Sequence, residues 1–545
     1  MDKQCFERNL LALSSTDPTL CSRLSSAVTT RGIYRFLESR TGEVIPALLD
    51  PTGQAYPLHS TVDPRREGER LVSTLHEEGY VIFLGLGGAF AAEAALEREE
   101  TKKVLVIEYD RNGIAELLSN RDYISVLKDP RFRILPDPSE DDIEKYLLET
   151  YIPAVDGGIR VFPLRIRTDK EERFTAAGDA IKRSIDAVSR DYSVQAYFGK
   201  RWFSNIIRNL PLAEGPFPVL PPLRRAAICA AGPSLDEQIP RIKKNRDSHF
   251  LIAADTSLAA LLHAGIEPDG VVSIDCQHIS YRHFFQALPA KTMLFLDLAS
   301  PPPVSARTEN RFFFCGGHPL TRYISRKWRA LPVLDTSGAN VSYAAFSLAE
   351  ILGAGEIILY GADFSYPLGQ TYARGTYIYP YFECFQFRHA PLEAQHSAFL
   401  YRDPSLQKES PPDRPWYYET QSLRFYRERL YRKAASSGLR VETLGPWGAR
   451  LLCNGSSARN LSILSTGPVR QGAMDFLRSY KKSLESLQSF DPLEQPEPTE
   501  EAELLTTLLP LAAFIRKKSG AINKQVFFES LKSCCLEELS KIIHS

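Results

Sequence analysis

At 545 residues the chain is too long for one hydrophobic core, and about three domains are expected. Apolar residues make up 43% and charged residues 24%, an ordinary balance for a soluble globular protein. Lys plus Arg equals Asp plus Glu at 66 each, so no net field recruits nucleic acid or an anionic membrane. The start, MDKQCFERNL, is polar and acidic without an apolar stretch, unlike a secretory signal. No run reaches the roughly 18 apolar residues of a spanning helix. The nine cysteines are scattered, odd in number and contain no C-x-x-C pair, while Cys534 and Cys535 are adjacent. That pattern is neither a disulfide framework nor a zinc site, and a reducing cytoplasm is the expected location.

Residues 1–75 read as a small mixed segment. Tyr34–Leu37, Val44–Leu49 and Tyr56–Leu58 have strand composition, with Asp50-Pro51-Thr52-Gly53 as the turn between the last two. A helix is expected to open at Asp63-Pro64, with Asp as the cap and Pro in the first turn. Residues 76–220 then read as a Rossmann-like domain. The strand Val81–Leu84 runs into Gly85-Leu86-Gly87-Gly88-Ala89-Phe90, and the next strand, Val104–Ile107, ends at Glu108. A glycine-rich turn followed about 20 positions later by an acid is a ribose-binding layout. Phe90 stands where the third glycine belongs, so a degenerate scaffold is expected here. The proline-rich text LPLAEGPFPVLPPLRR closes this domain near Leu220.

Residues 221–460 carry the densest signal. Ala226–Ala231, Phe250–Ala254 and Gly270–Asp275 are short apolar runs separated by helical spacing, the rhythm of a doubly wound parallel sheet. Such sheets bind ligands beyond the carboxyl ends of their strands. Those ends hold Ala231-Gly232-Pro233-Ser234, Asp255-Thr256-Ser257 and Asp275. Ser234 is expected to cap the following helix, and Gly232 to let backbone and ligand approach closely. Strands at Thr292–Leu296 and Arg311–Cys315 lead to Asp335-Thr336-Ser337-Gly338-Ala339-Asn340, a helix to about Leu352, and a strand Glu356–Tyr360 that runs on to Asp363. Pro367 to about Pro415 has no clean period and is rich in Tyr, Phe and His, as expected of a functional lid. Arg440–Thr443 reads as a last strand before Gly445-Pro446-Trp447. Residues 461–545 are helical text in three stretches, parted by DPLEQPEPTE between the first two, suited to packing, partner contact or homo-oligomer formation.

GPSLD (Gly232–Asp236), ADTSLAALLHAGIEPDGVVSID (Ala254–Asp275) and the run from Ser337 to Gly375 together resemble the motility accessory factor family. These bacterial proteins are implicated in attaching nonulosonic acids, nine-carbon sialic-acid-like sugars, to flagellin serines and threonines. The resemblance implies a CMP-activated sugar as donor, flagellin as acceptor and an inverting glycosyltransferase. The central domain is also similar to bacterial sialyltransferases, in which tyrosines after an Asp-Phe turn bind the departing phosphate and a histidine of a His-Ser pair is the base. That resemblance carries the tyrosine roles to Tyr366 and Tyr372 and the base to His396, and it departs from this chain where Ser365 directly follows Phe364. The nucleotide cradle falls on Ala231, Gly232, Pro233, Ser234, Asp255, Thr256, Ser257, Asp275, Thr336, Ser337, Gly338, Asn340 and Asp363, with no metal or resident cofactor.

Two rival readings stand beside this one. The same domain type resembles an archaeal hydroxymethylpterin diphosphokinase, which implies ATP with Mg²⁺ held by Asp255, Asp275 and Asp363. The other is a non-catalytic assembly factor that holds flagellin through the helical tail.

Overall fold

The computed structural model describes residues 3–25, 32–164, 172–443, 452–453, 464–490, 499–519 and 524–544. The chain forms two compact units, Met1–Tyr197 with Ala512–Lys524, and Phe198–Leu511 with Gln525–Ser545. Gly445-Pro446-Trp447, and most of the Asp491–Glu500 spacer, lie outside the described residues.

The first unit opens with two helices the sequence did not announce, Lys3–Ser14 and Pro18–Ser25. An antiparallel sheet follows, built of β1 (Tyr34–Glu38), β2 (Val44–Leu49) and β3 (Ala55–Pro57). Asp50 closes the expected turn by accepting from the Thr52 and Gln54 amides at 2.9 Å each. The helix Pro64–Val72 begins as expected, with the Asp63 carboxylate accepting from the Arg66 amide. Four parallel strands then make the unit's main sheet: β4 (Glu78–Leu84), β5 (Lys103–Glu108), β6 (Phe132–Pro136) and β7 (Gly158–Pro163), in the order β6-β5-β4-β7. Alternate residues of β4 and β5 feed two separate cores. Val81, Phe83, Val104 and Val106 face one, and Tyr80, Ile82, Leu105 and Ile107 the other. Burial on both faces is why these strands read as unbroken apolar runs.

The boundary between the units falls inside the 38-residue helix Glu172–Asn209. In the second unit the central sheet comprises β8 (Arg225–Cys229), β9 (Phe250–Ala254), β10 (Gly270–Ser273), β11 (Met293–Asp297), β12 (Arg311–Phe314) and β13 (Glu356–Tyr360). A small lid sheet of β14 (Tyr366–Pro367), β15 (Gln407–Glu409) and β16 (Tyr417–Glu419) comes next in the chain. The last strands, β17 (Arg440–Thr443) and β18 (Leu452–Cys453), return to the central sheet. Its order is β12-β11-β10-β9-β8-β13-β17-β18, parallel throughout except for β18. The order reverses between β8 and β13, where an open α/β sheet opens a crevice at its carboxyl edge. Ile228, Ile252, Val272 and Phe295 share one core with Phe346 and Leu348 of the helix Val341–Ile351. Each such side chain, fully buried, contributes about 1.5–3 kcal/mol.

The lid carries more regular structure than its text suggested, with helices Ile378–Glu383 and Leu392–Tyr401 beside its small sheet. The C-terminal text forms Ala473–Ser486, Glu500–Thr506, Leu509–Ser519 and Lys524–Ile543. Its second stretch therefore divides into two helices. Among the described residues no helix is long and apolar enough to cross a membrane.

Candidate functional site

The turns after β8 and β13 are tied together at the point where the strand order reverses. The Gly232 amide donates to the Gly361 carbonyl at 2.9 Å, and Gln238 accepts from the Gly361 amide at 2.8 Å. Gly232 is required here by a neighbour within the protein. A Cβ would lie 2.5 Å from the Gly361 oxygen and 2.9 Å from Cγ of Asp363, overlapping the carboxylate. Asp363 accepts from the Ser234 amide at 2.9 Å. The helix Leu235–Lys244 is thus capped from outside. The expected cap by the Ser234 side chain is not made, because Ser234 is itself in helical conformation and its Oγ accepts from Gln238 instead. Burial pushes the Asp363 carboxyl up to about 6, against the pull of its Ser234 bonds.

Acids line the same edge at the ends of β9, β10 and β11. Asp255 is buried and accepts from the Ser273 hydroxyl at 2.8 Å and from the Thr256 amide at 2.7 Å. Ser257 spends its hydroxyl on the Cys229 and Ala254 carbonyls, a structural use. Asp275 is raised by burial and, further, by the charge of Asp255. Asp297, which the sequence reading missed, is pushed up to about 6 by burial. Yet among the described residues no three His, Cys, Asp or Glu side chains gather closely enough to share a metal ion. The trio Asp255, Asp275 and Asp363 expected to hold Mg²⁺ is therefore not assembled as one ligand set.

The Thr336-Ser337-Gly338 turn is committed to packing. Gly338 sits against the Tyr343 ring, 2.7 Å from its Cβ if a methyl were added. Asn340 caps the next helix through the Tyr343 amide at 2.9 Å. The preceding Asp335 accepts from Lys433 and from the Tyr343 hydroxyl; although burial opposes it, these bonds hold its carboxyl well below the usual range. Among the described residues no hydrogen bond joins this turn to Gly232–Ser234.

The lid reaches the β8 turn directly. Ala373 donates to the Ala231 carbonyl at 2.9 Å, and the Arg374 amide to Asp236 at 3.0 Å. One residue before Tyr372, the Thr371 hydroxyl bonds His396 Nδ1 at 2.8 Å. His396 Nε2 is buried and without a partner, and burial lowers the imidazole below its ordinary range. The structure thus brings His396 beside the Tyr372 segment, although the two are 24 positions apart. Tyr372 is held protonated mainly by burial and by its neighbours Tyr377 and Tyr366, with Arg402 opposing. Tyr366 is also raised by burial and lies within the field of Arg402. Three residues of this cluster escaped the sequence reading: Tyr377, Arg402 and His283. His283 stands edge-on to Tyr377, ring centres 4.5 Å apart, with Nδ1 buried and unpartnered. For Tyr377 and Arg402 the available signal was the run of tyrosines and arginines in a lid with no helical or strand period, whereas His283 comes from the 3-10 helix His278–Phe284 after β10.

The glycine turn of the first unit is differently employed. The Gly88 amide donates to His59 Nε2 at 2.8 Å, and Glu108 accepts from the Leu86 and Tyr109 amides. Phe90 packs edge-on against His59, ring centres 5.1 Å apart.

Residues 204–369 match the family model described as 6-hydroxymethylpterin diphosphokinase MptE-like. The fold of the chain is similar to the solved structure of MAf glycosyltransferase from Magnetospirillum magneticum AMB-1, with a TM-score of 0.59 and 15% identity. That similarity covers 100% of this chain and 95% of the other. Two uncharacterized proteins of Treponema pallidum (strain Nichols) are also similar. One is 29% identical over 179 residues, 31% of this chain and 83% of its own length. The other is 37% identical over 130 residues, 23% of this chain and 46% of its own length. These findings support the resemblances drawn from Gly232–Asp236, Ala254–Asp275 and Ser337–Gly375. The MptE-like segment contains Gly232, Asp255, Asp275, Asp363 and Tyr366, whereas Tyr372, His396 and Arg402 lie beyond its end.

Proposed function

We propose that the chain is an inverting glycosyltransferase that moves a nonulosonic sugar from a CMP-activated donor to serine or threonine hydroxyls of flagellin. The observation that carries this reading is the fold likeness to a glycosyltransferase along the whole chain, lid included. The lid chemistry agrees with it. His396, neutral at pH 7, would take the acceptor's proton through Nε2, while Nδ1 is held by Thr371. Tyr366 and Tyr372, kept protonated, would donate to the departing phosphate without a metal. Because Asp363 occupies the Ser234 amide, the donor phosphate is expected nearer the lid tyrosines than the helix start.

The second reading, an ATP-dependent diphosphokinase, is favoured by the MptE-like match alone. Calorimetry with CMP in EDTA, against ATP with Mg²⁺, separates the two. Heat from CMP without metal is expected. Heat only from ATP with Mg²⁺ would shift the assignment to the diphosphokinase.

A further inference from the structure

The helix Leu392–Tyr401 that carries His396 also forms one wall of a cleft of about 610 Å³. Arg282, Tyr377, Tyr381, Phe382, Phe399 and Arg402 line it. The two guanidinium groups are held in the same manner. Arg402 lies 3.9 Å from the centre of the Phe399 ring, and Arg282 lies 4.3 Å from that of Tyr381. Neither has an ion pair or side-chain hydrogen bond among the described residues. Stacking on a ring fixes the plane of a guanidinium and leaves its N–H groups free, which is the preparation a bidentate carboxylate needs.

The walls of the cleft pack against the candidate catalytic groups. Phe399 packs against Tyr372, ring centres 6.1 Å apart, and Phe382 against His396 at 4.9 Å. Tyr377 lines the cleft and is 6.5 Å from Tyr372, and the Arg402 charge acts on Tyr366, Tyr372 and Tyr377 together. A nonulosonic donor bears two anionic groups, a phosphate and the sugar's carboxylate. The tyrosine hydroxyls are suited to the first, because a phosphate leaves and its charge must be stabilised only transiently. The carboxylate keeps its charge throughout and calls for a permanent cation. Aromatic walls in turn suit the C–H faces of a sugar ring, and the volume lies within the usual range for a small-ligand site.

We propose that this lid cleft is the subsite for the acidic sugar, and that Arg402, assisted by Arg282, binds its carboxylate. The proposal rests on the donor reading above. It makes the two arginines determinants of sugar specificity with no part in holding the nucleotide.

The test is calorimetry of the full chain with two probes, CMP and CMP-N-acetylneuraminic acid, for wild type, Arg402→Ala, Arg402→Lys and Arg282→Ala. Wild type is expected to bind the sugar nucleotide more tightly than CMP. Arg402→Ala should weaken the sugar nucleotide by about 10- to 100-fold, the worth of a charge-assisted hydrogen-bond pair, and leave CMP within about twofold. Arg402→Lys should recover only part of that loss, since an ammonium cannot offer the fork, and Arg282→Ala should show a smaller loss with the same selectivity. Equal weakening of both probes would assign Arg402 to the phosphate and overturn the subsite. Unchanged binding of both would overturn it as well. No CMP binding by wild type would overturn the donor reading itself, and the subsite with it.

Discussion

Asp297 and Asp363 are buried carboxyls whose folded pKa values, about 6, stand above those of an unfolded chain. Between about pH 4 and 6 these two carboxyls therefore hold protons that they would lose in the unfolded chain, and their contribution to stability falls as pH rises through that window, whereas the imidazole of His318, held down to about 3 by burial, contributes with the opposite sign there. Asp335, held low, acts in the opposite direction, but below pH 4. The Asp297 and Asp363 shifts each correspond to about 1–3 kcal/mol. Asp363→Asn keeps an oxygen for the Ser234 amide and has no charge to bury. From pH 4 to 6.5 the urea midpoint of Asp363→Asn is expected to fall less, or to rise more, than that of wild type. Equal slopes would show that Asp363 is ionised at no cost. His396 yields a second expectation. On the proposed mechanism its neutral form is the base, and burial favours that form, so transfer should rise with pH along a limb centred below 6.5. His396→Ala should keep CMP binding and lose about 10²- to 10⁴-fold in sugar incorporation into flagellin. His389→Ala, exposed on the lid, should keep both. Near-normal transfer by His396→Ala would remove it from the mechanism and leave Asp275 to be tested as the base.

At the level of elements, the strands were legible and the long-range ties were not. β9 and β13 fall on the expected residues, because a strand buried on both faces writes an apolar run of its own length, and β17, a partly exposed strand, also falls on its expected residues. Tyr366, Tyr372 and His396 were legible only through the resemblance. Arg402 and Tyr377 were not, since an irregular lid leaves no period to say which side chains converge. The helix Glu172–Asn209 was missed for another reason: its work is done by two amides. Asn205 and Asn209, one turn apart, donate to the Cys276 and Ala299 carbonyls and to the Leu298 and Ser300 carbonyls, all at 2.7–3.0 Å. These are the loops that follow β10 and β11, so this helix end fixes the carboxyl edge that bears Asp275 and Asp297. Each carbonyl is left unsatisfied if its donor is removed, at about 1–3 kcal/mol. Asn209→Ala strands two of these carbonyls and is expected to destabilise the fold by about 2–6 kcal/mol, seen as a lower urea midpoint, whereas Ser193→Ala, an exposed position on the same helix, should leave the midpoint unchanged. Equal midpoints for the two variants would show that the loops hold without the helix.

The molecule contains two parallel sheets with a switch point each, and the same physical question applies to both: which groups at the crevice are still free. In the second unit the Ser234 amide is taken by Asp363, but among the described residues the lid retains an unpartnered imidazole nitrogen on His396, and Arg402 of the lid and Arg282 of the loop after β10 have no ion pair. In the first unit the groups of the glycine turn are already engaged. A cavity of about 1040 Å³ opens beside Gly85 and Leu164, with Phe83, Val106 and Phe162 among its walls, so space for a ligand exists. Recognition of an adenosyl or dinucleotide cofactor would require an acid free for the ribose hydroxyls and turn amides free for the anionic end. Here the acid, Glu108, is 1% exposed and already accepts from the Leu86 and Tyr109 amides, and the Gly88 amide is given to His59. Phe90 fills the position of the third glycine, and a Cβ at Gly88 would lie 2.5 Å from its ring. Binding would have to break these bonds and leave buried polar groups unpaired, a cost of about 1–3 kcal/mol for each. Calorimetry with S-adenosylmethionine is therefore expected to show no heat, for wild type and for His59→Ala alike, because removing the imidazole frees one amide and leaves Glu108 engaged. A micromolar dissociation constant that is lost on Glu108→Ala would reverse this conclusion and make the first sheet a working cofactor site.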